Sequence, residues 1–93
     1  MAESGFRGKS MKSVAFDVAE GYISVNPLFL KKFDKEMIKD LYDSLNKTLT
    51  GTRNAKIDLT DQAALRTRKM KMQRLHNAMI IIRNTAREKR IPL

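Results

Sequence analysis

From residue 26 onward the chain carries apolar side chains at every fourth position. Phe29, Phe33, Met37, Leu41, Leu45 and Leu49 form an unbroken series, and Leu30, Ile38 and Tyr42 widen it into a stripe. That spacing puts the set on one face of an α-helix. The opposite face carries Lys32, Lys35, Glu36, Lys39, Asp40 and Asp43. Asn26-Pro27 marks a start, because Asn accepts from orphan N–H groups and Pro suits the first helical position. Gly51 offers a left-handed stop, so a first long helix is predicted over 27–49.

Residues 50–57, TGTRNAKI, form a connection of the length that makes neighbouring helices antiparallel. Asp58 or Thr60 is placed to cap a second helix over 59–89, with Asp61 favourable near its positive end. Placing Leu65, Met72, Met79 and Ala86 at heptad position a puts Leu75 and Ile82 at d, a narrow seam of the coiled-coil type. Arg68 and Lys89 also fall at d and weaken both ends of the seam. The pattern therefore predicts a mainly α protein built on a long antiparallel helical hairpin.

The N-terminal third is less regular. Residues 1–12 mix Gly, Ser and charge without periodicity and read as a flexible leader to a single small helical domain over 13–93. In 13–25, Val14, Phe16 and Val18 alternate, as do Ile23 and Val25, which favours two short strands. Met11, Val14, Val18 and Tyr22 also recur at helical spacing, with Gly21 placed where a helix would stop. The strands are the preferred expectation.

Two helices alone leave apolar surface uncovered. The broad stripe of the first, together with Met70, Ile80 and Ile81 of the second, needs either the N-terminal segment or a second copy to bury it. A homodimer packed as a four-helix bundle is the economical solution. Its interface, or that of another partner, would draw on Met70, Met72, Leu75, Met79, Ile80, Ile81 and Ile82.

Charge changes this picture more than composition does. The chain has 93 residues and a formal net charge of +9. Residues 1–30 balance three cations with three anions, and 31–58 hold seven against five. Residues 59–93 hold nine cations against two anions. An excess so localised resembles a binding footprint. With no cysteine there is neither a disulfide framework nor a thiolate metal site. The longest apolar run, residues 78–82, is far too short to span a bilayer, and no secretory signal is apparent. A cytoplasmic location is the expectation.

Few constellations carry chemistry. Gly8-Lys9-Ser10 matches only the tail of a phosphate-binding loop, with Glu3 where the motif needs its first glycine. Glu36, Asp40 and Asp43 share a face with Lys32 and Lys39 and read as ordinary surface ion pairs. His76 is the sole histidine and has no visible orienting neighbour. No catalytic, cofactor or metal site is expected, so an enzyme is the least favoured class.

The basic constellation stands apart. Lys69, His76, Arg83 and Arg90 recur every seven residues beside the seam, with Arg87 one turn beyond Arg83. Arg66 and Arg74 lie on the outer face, Lys71 flanks the seam, and Arg68 and Lys89 extend the track. From Lys69 to Arg90 such a stripe runs roughly 30 Å, the length of several phosphates. The competing reading is a solvated face with a positive bias. The helix dipole accounts for cations only in the last turn and leaves Arg66 to Arg74 unexplained. The expected partner is DNA or RNA held through its phosphates. The alternative is an interaction module, an adaptor, chaperone or assembly subunit, whose Met/Ile face accepts an acidic or amphipathic-helix protein. Membrane association is disfavoured, because the basic helix has no aromatic anchors.

Overall fold

The computed structural model describes the backbone at residues 5–6 and 9–93, and side chains from residue 10 onward. A two-residue antiparallel pairing, β1 (Gly5–Phe6) with β2 (Lys9–Ser10), precedes four helices: α1 (Met11–Glu20), α2 (Pro27–Leu30), α3 (Lys35–Asn54) and α4 (Gln62–Glu88). The fold is mainly helical, and the long helices pack on one another. The flexible leader expected over 1–12 falls largely outside the described residues. The helix, however, starts within that range, and Met11 is buried.

The strands expected in 13–25 are replaced by α1. Ser10 caps its start, its hydroxyl oxygen accepting from the Ser13 N–H at 3.2 Å. Gly21, at φ 84°, ends it: the Gly21 N–H donates to Val18 O and the Tyr22 N–H to Asp17 O, the paired bonds of a Schellman motif. Met11, Val14, Ala15, Val18 and Ala19 are buried, so the 3.6-residue period wins over the alternation. The alternation included Phe16, which is 55% exposed.

The first long helix is broken where the sequence read as continuous. Asn26 does open a helix, its Oδ1 accepting from the Phe29 N–H at 2.8 Å, but α2 lasts only one turn. Asp34 then starts α3 afresh, its carboxylate accepting from the Met37 N–H at 2.8 Å, with Glu36 in the favourable first turn. The turn between them lets both Leu30 and Phe33 enter the core. The Phe29 and Phe33 rings sit 5.1 Å apart and tilted. At the other end α3 runs through Gly51 to Asn54. The left-handed stop predicted at Gly51 is not used, and the helix extends one further turn.

Helix α4 begins at Gln62, capped by Asp61, whose carboxylate accepts from the Ala64 N–H at 3.1 Å. Asp58, expected as a cap, instead folds the loop by accepting from the backbone N–H and the hydroxyl of Thr60 at 2.9 and 2.6 Å. The seam follows the heptad assignment from Leu75 to Ala86 and is widened on one side. Leu75, Ala78, Met79, Ile82, Thr85 and Ala86 are buried, whereas Leu65 and Met72 are only partly so. Helix α1 packs against both α3 and α4, and the small residues Ala78 and Thr85 join the buried side of α4. The N-terminal segment thus covers part of the surface that otherwise called for a second copy, while Met70 and Ile80 stay exposed.

Candidate nucleic-acid interface

The nine cations singled out in 66–90 divide into three groups in space. Arg66, Lys69, Arg83 and Arg87 stand exposed on the outward face of α4, and Lys89 and Arg90 are exposed just beyond its end. Arg68 is half-buried and lines a cleft of about 480 Å³ between α3 and α4. Lys71 and Arg74 turn inward. The Lys71 ammonium pairs with the Glu20 carboxylate at 2.9 Å, and the Arg74 guanidinium donates to Ala19 O at 3.0 Å. Both contacts land on the C-terminal end of α1, where unpaired carbonyls and the negative end of the helix dipole favour cations. Lys71 and Arg74 are therefore fasteners of the fold.

The outward cations are differently placed. Among the described residues the ion pairs are Lys71–Glu20 and Lys47–Asp43, and neither involves the outward face of α4. Within α4 the only acidic residue is Glu88, at its last position. From Arg66 to Arg87 the exposed ridge extends about 30 Å at 1.5 Å per residue, along a molecule whose longest dimension is 44 Å.

Arg90 occupies an unusual backbone position. Its φ is 57°, in the left-handed region where helices commonly end on glycine. The Arg90 N–H donates to Arg87 O at 3.2 Å and the Ile91 N–H to Ala86 O at 2.7 Å, so α4 closes with the same Schellman geometry as α1. Here, though, an arginine stands where glycine would be unstrained.

The residues assigned to a partner surface also separate. Leu75, Met79 and Ile82 belong to the internal core and are not free to meet another chain. Met72 and Ile81 are half-buried against it. Met70 and Ile80 remain exposed, at 45% and 49%. Gln73, Asn77 and Asn84 also face outward, and the charge-based reading passed over them. The heptad assignment already placed them at b and f positions, away from the seam. His76 is exposed on the ridge instead of flanking a core.

No protein-family model, curated protein or solved structure matches this chain. Among the described residues no helix is long and apolar enough to cross a membrane. No group of three or more potential metal-ligating side chains occurs among them either.

Proposed function

We propose that this protein binds nucleic acid through the phosphate backbone, along the exposed ridge of α4. The observation that carries the reading is the ridge itself: Arg66, Lys69, Arg83 and Arg87 aligned on one outward face, without a carboxylate partner among the described residues. A solvated face built for solubility alone would be expected to intersperse acids and form i,i+4 pairs, as α3 does with Asp43 and Lys47. Arg90 adds support. A long cationic side chain held at a left-handed position is a local cost of the kind that collects at functional sites. The reading needs only one copy of the chain, since the ridge lies on a single helix.

The test is a fluorescence-anisotropy titration of a short duplex between about 50 and 200 mM salt. Log affinity is expected to fall linearly with log salt, with a slope of about −4 to −6 if most of the outward cations each neutralise a phosphate. Absence of binding at the lowest salt would sink the reading. Light scattering of the same samples gives the number of copies bound.

The alternative, a module that accepts a protein partner, draws on the α3–α4 cleft. Its walls are Thr48, Gly51, Thr52, Ala55, Ile57, Ala64 and Thr67, with Arg68 at the rim. Small walls allow close approach, and an acidic amphipathic helix would complement the charge. Retention of acidic helical peptides by the protein, with no affinity for duplexes, would favour this second reading.

A further inference from the structure

The uncharged part of the α4 ridge is as informative as its cations. Between Lys69 and Arg83 the exposed residues are Met70, Gln73, His76, Asn77 and Ile80, and Asn84 follows one residue after Arg83. At 100° per residue, Gln73, Asn77, Ile80 and Asn84 fall within about 60° of one another on the helix surface. They are spaced at i, i+4, i+7 and i+11, over roughly 16 Å of axis. That is about five base-pair steps of 3.4 Å.

A track for phosphates alone would be cationic along its whole length, and a face kept for solubility would use Glu and Lys, which are better helix formers than Asn. The ridge does neither. It places Met70, Gln73, His76, Asn77 and Ile80 between two cationic ends, with Asn84 set between Arg83 and Arg87. The uncharged interval from Lys69 to Arg83 is about 21 Å, longer than the roughly 12 Å width of the B-DNA major groove. An α-helix lying in that groove would therefore carry its amides over the base edges while Arg66 and Lys69 at one end, and Arg83 and Arg87 at the other, reach phosphates.

The chemistry of those side chains selects bases. Asn and Gln present a donor and an acceptor side by side, matching N6 and N7 of adenine, and an aliphatic side chain complements the methyl group of thymine. An A-form RNA helix offers no such access, because its major groove is deep and narrow. We propose that α4 is a recognition helix that enters the major groove of duplex DNA and prefers sites rich in A·T pairs. Gln73, Asn77 and Asn84 read adenine, and Ile80 packs on a thymine methyl. This rests on the nucleic-acid reading above and adds sequence preference to it.

The experiment is selection of a randomised duplex library on the whole 93-residue chain at about 150 mM salt. Anisotropy then compares the best duplex with a shuffled one and with one carrying deoxyuridine in place of thymidine. Gln73→Ala, Asn84→Ala and Ile80→Ala are compared with the parent. All three sites are exposed on a helix that alanine favours, so helicity by circular dichroism is expected to persist. The expected result is an A·T-rich consensus. Each amide variant should lose about tenfold in affinity for the selected duplex and little for the shuffled one. Deoxyuridine should weaken the parent but not Ile80→Ala. Binding without enrichment, a G·C-rich consensus, or equal losses on both duplexes would overturn the inference and leave phosphate binding standing. Absence of binding even at low salt would remove both.

Discussion

Single residues in this protein do more than their types announce. Arg90 closes α4 in a left-handed conformation that costs a non-glycine residue roughly 1 kcal/mol or more. Arg90→Gly is expected to raise stability by about 1 kcal/mol, or about 4–8 °C in Tm for a domain of this size. It should also reduce the salt slope for duplex binding by about 0.9 if Arg90 touches a phosphate. A melting curve and a salt titration on one sample check both. Asp58 is held below the ordinary aspartate value of 3.8, first by the Thr60 hydroxyl and then by the Thr60 N–H. A depressed carboxylate stabilises the folded loop above the unfolded pKa, and the contribution is lost as pH falls below about 3.8. An NMR titration should find Asp58 ionised to lower pH than a free aspartate. In Thr60→Val the midpoint should move up, and an unmoved midpoint would deny the hydroxyl its role.

At the scale of elements, caps proved more decisive than stripes. The i, i+4 series from Phe29 to Leu49 read as one helix because every member is apolar. The chain nevertheless breaks at residues 31–34, since Asp34 ahead of Lys35-Glu36-Met37 is a strong start signal. That signal was present in the sequence and was masked by the regularity of the pattern. Gly51 misled in the opposite direction. It lies inside α3, with open space where a Cβ would project, so nothing local forces the left-handed conformation that a stop needs. Gly51→Ala is expected to stabilise the protein by about 1 kcal/mol, read as a rise in the urea midpoint at constant m-value. Gly21, by contrast, sits at φ 84°, with the Arg74 guanidinium 3.1 Å from where a Cβ would stand.

At the scale of the whole molecule, α1 decides how the charge of α4 is spent. By packing on α3 and α4 it takes two of the nine cations, Lys71 and Arg74, to tie down its own C-terminal end. Arg74→Ala should therefore lower stability by about 1–2 kcal/mol through the lost bond to Ala19 O, yet leave the salt slope of duplex binding unchanged. Arg83→Ala should do the reverse. Equal effects on the slope from both variants would show that the inward and outward cations are not functionally distinct.

The sequence alone determined that the chain is mainly helical with two long helices, where the positive charge concentrates, and that their apolar faces need further cover. These follow from periodicity, capping chemistry and composition, which act over a few residues. Tertiary structure decided what the cover is and which cations stay free. Residues 13–25 offered both periods, and only burial against α3 and α4 selects the helical one. In α4 the heptad seam stays buried from Leu75 to Ala86 and widens to Ala78 and Thr85, while Lys71 and Arg74 are drawn to the end of α1. How wide the buried face of a helix becomes, and which flanking cations it draws in, is set by what packs against it, and no window of its own residues encodes that.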